Sequence, residues 1–126
     1  MHQKKKILNE SRVRCIKGSF GFIPHRFLTD GFWEFLSRDE LALYLFLILV
    51  GDKYGLSFYS DASICYYLQL DAYQLQTARE GLIDKDLLGF ESPCYQVLEL
   101  PEVPGKRREN SFSPLKRIRR SLEGGQ

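Results

Sequence analysis

The stretch Ser60-Asp-Ala-Ser-Ile-Cys-Tyr-Tyr-Leu-Gln-Leu-Asp-Ala-Tyr-Gln-Leu-Gln-Thr-Ala-Arg-Glu-Gly-Leu-Ile-Asp84 decides how this chain is read. Ser60 is a helix N-cap, and Ile64 and Leu68 share the inward face of a short helix over 61–68. Gln69 and Leu70 leave room only for a tight turn. Asp71 then caps a second helix running to about Asp84, with Leu75, Ala78 and Leu82 as its buried stripe.

Downstream, Leu87-Leu-Gly-Phe-Glu91 and Tyr95-Gln-Val-Leu-Glu-Leu100 read as two strands. The Ser92-Pro93-Cys94 corner joins them as a hairpin. Upstream, Leu56-Ser-Phe-Tyr59 alternates and reads as a short strand. Ahead of it, Ser37-Arg-Asp-Glu40 is a capping box that opens a helix. Its continuation, Leu41 to Val50, is apolar on every side, which predicts burial all round. Either it is a central helix or it shares a face with a second subunit. Gly51 to Gly55 ends it with turn residues.

Residues 25–36 are predicted partly helical, broken at Gly31, with Phe27, Phe32, Trp33 and Phe35 as core or docking material. Residues 18–24 read as an extended entry, because Pro24 disfavours helix at Ile23. A short leading strand is expected over 12–17.

Helix, tight turn, helix and hairpin together resemble the winged-helix superfamily of bacterial transcription regulators and replication initiators. The likeness runs from Ser60 onward, through Asp86-Leu87-Leu88, where many members carry Gly-Leu-Ile. More loosely, residues 20–101 are similar to small proteins carried on bacterial mobile elements, through "LSRDELALYLFLILVGDKYGLSFYS" and "YQVLELP". The resemblance implies a mainly α winged helix-turn-helix with a small β-hairpin wing. It also implies DNA as partner, in transcription regulation or in replication or transposition of a mobile element.

In that geometry the second helix faces a major groove. With Leu75 inward and about 100° per residue, Tyr73, Gln74, Gln76, Thr77, Glu80 and Asp84 point outward. Gln74 and Gln76 suit adenine edges, Thr77 a thymine methyl or a phosphate, and Tyr73 a phosphate. Arg79 falls near the buried stripe and reads as the partner of an acid on a neighbouring helix.

The charge distribution opposes part of this reading. The net charge of +2 hides an acidic body between two basic ends. Residues 1–17 hold Lys4, Lys5, Lys6, Arg12, Arg14 and Lys17 against Glu10, a net of +5. Residues 101–126 hold Lys106, Arg107, Arg108, Lys116, Arg117, Arg119 and Arg120 against three acids, a net of +4. Residues 18–100 therefore carry −7. Phosphate neutralisation dominates affinity for DNA, and Glu80 and Asp84 lie on the reading face. Basic arms beside a helix-turn-helix add phosphate contacts and reach minor grooves, which resolves part of the conflict.

The organisation expected is a basic arm (1–17), a winged helix domain (18–100) and a basic tail (101–126). The tail is expected to be disordered when free, with 115–122 turning helical on a partner. A homodimer is expected, since small helix-turn-helix proteins commonly use two half-sites. The rival reading is an adaptor that docks on a larger replication or recombination protein. RNA is a third possible anionic partner for the tails.

Enzymatic patterns are missing from the sequence: no nucleophile elbow, Walker motif or H-E-x-x-H helix. Three widely spaced cysteines and two histidines give no metal spacing, and no cofactor is expected. The longest apolar run is too short to span a bilayer and no secretory signal is recognisable, so no membrane and a cytoplasmic location are expected.

Overall fold

The computed structural model describes residues 5–104. In chain order these form α1 (Arg26–Thr29), α2 (Arg38–Val50), β1 (Leu56–Phe58), α3 (Asp61–Leu68), α4 (Ala72–Asp84), β2 (Leu88–Glu91) and β3 (Cys94–Val97). Two single 3₁₀ turns, Glu10–Arg12 and Trp33–Phe35, complete the described elements.

The capping signals place the helix starts. Ser37 Oγ accepts the Glu40 N–H, and Glu40 Oε1 accepts the Ser37 N–H. Ser60 caps α3 through the Ser63 N–H. Asp71 caps α4 and forms a second capping box with Gln74. Each box satisfies two amides that a helix start otherwise leaves bare.

The three strands form one antiparallel sheet in the order β1-β3-β2. Sequence reading found the β2–β3 hairpin but not the pairing of β1 with β3, which sets Ser57 opposite Tyr95. The strand expected over 95–100 stops at Val97. β2 begins at Leu88, so beyond the Leu98 N–H bond to the Leu87 carbonyl no strand remains alongside. The leading strand expected over 12–17 is not formed. That segment is exposed throughout and has no strand beside it to supply ladder bonds.

Leu43, Leu47, Ile64, Leu75, Leu82, Leu87, Leu88 and Tyr95 lie at the centre of the core. Phe27 and Phe32 join it, Phe27 stacking on Tyr44 with centroids 5.2 Å apart. Trp33 and Phe35, expected in the core or a docking surface, are exposed, as are Phe20 and Phe22.

The all-round burial expected of α2 is not observed: Leu49 is 74% and Leu45 37% exposed. A helix at the side of so small a core has one face that no other described residue covers fully. On its inner side α2 meets α4 very closely. A Cβ at Gly81 would collide with Glu40 Oε2, and Lys85 Nζ donates to Glu40 Oε1 at 2.6 Å. Glu40 thus caps α2 and anchors α4 at once.

Candidate nucleic-acid interface

The turn between α3 and α4 determines what α4 presents. Gln69 sits in the left-handed region at φ 58°, and its N–H donates to the Cys65 carbonyl. The Leu70 N–H donates to the same carbonyl at 3.2 Å. Asp71 begins α4 immediately afterwards, so the two helices are joined with no slack.

With Leu75, Ala78 and Leu82 buried, Tyr73, Gln74, Gln76 and Thr77 are all exposed on α4. By helical geometry Tyr73, Thr77, Glu80 and Asp84 form the outermost ridge, with Gln74 and Gln76 on its flanks. Both glutamines are half engaged. Gln74 Oε1 accepts the Asp71 N–H at 2.9 Å, and Gln76 Nε2 donates to Glu80 Oε2 at 3.2 Å. An adenine edge needs the amide's donor and acceptor together, and the existing bond holds each amide in an orientation that base contact would have to share or change.

Arg79 leaves the outer face, as its position predicts. Its Nη1 donates to Asp61 Oδ1 at 2.9 Å and to Tyr95 Oη at 2.7 Å, with the guanidinium 4.6 Å from the Phe90 ring. Burial opposes its charge, but the bonds to Asp61 and Tyr95 outweigh burial and raise its pKa. The cation therefore fastens α3, α4 and the hairpin to one another.

Three of the five cations in residues 18–100 are committed in this way: Arg26 to Asp30, Arg79 to Asp61 and Lys85 to Glu40. No lysine or arginine stands on α3 or on the outer face of α4, and residues 88–97 contain none. The hairpin is thus poorly equipped to hold phosphate.

Arg38 and Lys53 of the body are exposed, and further positive charge lies on the arm, where Lys5, Lys6, Arg12, Arg14 and Lys17 are exposed. The arm's root rests on α2, since a Cβ at Gly21 would lie 2.6 Å from the Ile48 carbonyl oxygen. Arg26 Nη2 donates to the Leu100 and Pro101 carbonyls, each at 2.9 Å, tying the chain's exit to the same region. Lys4, Arg107, Arg108, Lys116, Arg117, Arg119 and Arg120 lie outside the described residues.

Sequence reading passed over two tyrosines. Tyr66 and Tyr67 of α3 are exposed, and Tyr67 leans on Phe46 of α2 with centroids 5.6 Å apart. Their positions relative to Ile64 and Leu68 already turn them from the core, so the signal was present. Among the described residues no three His, Cys, Asp or Glu side chains gather as metal ligands, and no helix is long and apolar enough to cross a membrane. No family model, curated protein or solved structure matches this chain.

Proposed function

We infer that the chain is a winged helix-turn-helix protein that binds DNA, with its basic arms holding phosphates while α4 enters the major groove. The observation that carries this reading is connectivity together with exposure. The order α2-β1-α3-α4-β2-β3, with an antiparallel sheet in the order β1-β3-β2, is compatible with helices followed by a hairpin wing and supports that reading. Its second helix offers Tyr73, Gln74, Gln76 and Thr77 to solvent. The division of labour follows from charge: an acidic body gains little from phosphate, and the arms gain much. Transcriptional control, or replication or transposition of a mobile element, is the setting that suits such a protein.

Fluorescence anisotropy with mixed genomic DNA fragments tests this. Binding by the full chain is expected to fall steeply with salt, by about 0.9 in log–log slope for each phosphate neutralised. Gln76→Ala with Thr77→Ala is expected to flatten discrimination among sequences. Replacing Lys4, Lys5 and Lys6 by glutamine is expected to weaken all sequences alike. Absence of binding at low salt overturns the reading, and tighter binding to RNA redirects it.

A second reading has its own support. Glu80 and Asp84 put acid on the α4 ridge beside exposed Tyr73, and α3 exposes Tyr66 and Tyr67, surfaces better suited to protein than to phosphate. Tyrosine is enriched in protein interfaces. Co-purification with a larger replication or recombination protein, without DNA affinity, is the outcome that favours an adaptor.

A further inference from the structure

Between Glu10 and Asp30 the chain carries no acid. That interval holds Arg12, Arg14, Lys17 and Arg26, of which only Arg26 is ion-paired among the described residues. Two aromatic rings stand in the same interval, beside the unpaired cations. Phe20 is 64% and Phe22 75% exposed. Neither stacks on another ring among the described residues.

Gly21 explains why the rings face outward. A Cβ there would point at α2, 2.6 Å from the Ile48 carbonyl oxygen and 2.9 Å from Ile48 Cγ2. The backbone lies directly on the helix, an approach that only glycine permits. Residues 19–24 form neither helix nor strand, and the neighbours of Gly21 project away from its contact with α2. The chain thus pins two phenyl rings to the body and leaves their faces bare.

We propose that the segment from Arg12 to Phe22 binds single-stranded DNA, with Phe20 and Phe22 stacking on unpaired bases and Arg12, Arg14 and Lys17 holding the adjoining phosphates. Unpaired nucleotides use both features at once, because they present flat apolar faces along a chain of negative charge. A duplex keeps its base faces stacked and would engage the cations alone. A neutral protein surface would leave Arg12, Arg14 and Lys17 without partners. A lipid surface takes the apolar face of a helix, and residues 5–25 contain only the 3₁₀ turn Glu10–Arg12. Stacking tolerates any base, so this site binds without the sequence preference expected of α4. The proposal rests on the reading of the chain as a DNA-binding protein, but it uses no residue of α4.

Fluorescence anisotropy of the full chain with an oligothymidine of about twelve nucleotides, at low salt, tests the site. Phe20→Ala with Phe22→Ala is expected to weaken binding about fivefold to a hundredfold. Thermal melting should stay unchanged, because both rings already stand in water. Tryptophan at both positions is expected to hold or raise affinity. Leucine at both is expected to lose it as alanine does, since leucine keeps apolar bulk without a stacking face. An abasic strand of the same length carries the same phosphates, and it is expected to bind more weakly and to ignore the two alanines.

A double-alanine variant that binds oligothymidine like the wild type overturns the proposal. So does an equal loss on the abasic strand, full affinity with leucine, or a loss confined to anionic lipid vesicles. Gln76→Ala with Thr77→Ala is expected to leave oligothymidine binding unchanged, which separates this site from α4. Duplex binding without oligothymidine binding sinks this site and leaves the α4 reading intact. Ring-dependent oligothymidine binding without duplex binding supports this site and removes the α4 reading.

Discussion

α2 and α4 are built to the same plan and put to different uses. Each has thirteen residues and opens with a capping box. Each points four residues outward at the same spacing: Arg38, Ala42, Leu45 and Leu49 on α2; Tyr73, Thr77, Glu80 and Asp84 on α4. On α4 the apolar stripe stops where burial stops, so its orientation is written in the sequence. On α2 the apolar residues continue past the core onto the surface, so orientation has to come from what packs around it. Apolar content that the fold does not consume is a sign of use elsewhere.

The contrast breaks if the two sides of α2 prove equivalent. Leu47→Ala is expected to cost about 3 kcal/mol, as a buried leucine that leaves a cavity does. Leu49→Ala is expected to shift monomer stability by less than about 0.5 kcal/mol. Urea unfolding of both variants at low protein concentration measures the difference. A large loss at Leu49 would mean that α2 is covered within its own chain.

On the α4 side the largest effect outside the apolar stripe belongs to Arg79. Arg79→Met removes the donor to the buried Tyr95 hydroxyl, at a cost of about 1–3 kcal/mol, while the exposed Asp61 stays hydrated and adds little. The same denaturation experiment reads it. Tyr95→Phe in the Arg79→Met background should then cost little further, because the coupled partner is already gone.

The two tyrosines of the core give the pair a pH signature. Burial pushes the Tyr44 hydroxyl of α2 from 10.0 to about 12. Burial also raises Tyr95, although its bond to Arg79 pulls the other way. A raised folded pKa means that the unfolded chain releases its proton first. The stability contribution is therefore complete below pH 10 and is lost as pH climbs through about 12. Unfolding measured between pH 9 and 12 is expected to show a loss on the order of 2 kcal/mol from Tyr44. Tyr44→Phe should flatten most of that slope, and an unchanged slope would place the alkaline sensitivity elsewhere.

Where the helices meet, Gly81→Ala reverses the ordinary sign. Alanine for glycine within a helix usually gains about 1 kcal/mol. Here the new methyl displaces a carboxylate held by Ser37 N–H and Lys85, so a net loss of about 1–2 kcal/mol is expected. Glu40→Gln in the same background should lose less than it does alone. Additive losses would separate the two residues.

Gly81 also marks where sequence reading stops. The capping box at Ser37 and Glu40, the caps at Ser60 and Asp71, the stripe of α4 and the acid partner of Arg79 were legible because each depends on spacing along one helix. Glu40 anchoring Gly81 and Lys85, the β1–β3 pairing and the exposure of Leu49 depend on residues far apart in the chain. Local periodicity carries no information about them. The candidate interface divides the same way: the exposure of Tyr73, Gln74, Gln76 and Thr77 follows from helix geometry. The commitment of Arg26 and Lys85 to carboxylates emerges only from the packed structure.

The smallest expected effect concerns the joint that sets α4 against α3. Gln69 occupies the left-handed region at φ 58°, where a side chain costs about 1 kcal/mol and glycine costs nothing. Glycine also has more freedom to lose on folding, which returns part of that gain. Gln69→Gly is thus expected to stabilise the chain by about 0.5 kcal/mol, readable as a small rise in urea midpoint with unchanged slope. The backbone bonds from Gln69 and Leu70 N–H to the Cys65 carbonyl do not involve the side chain, so the angle between α3 and α4 should persist. Any discrimination among DNA sequences that depends on that angle should persist with it. A loss of stability would instead assign the Gln69 side chain a packing role at the turn, and a loss of discrimination alone would place its amide at the contact.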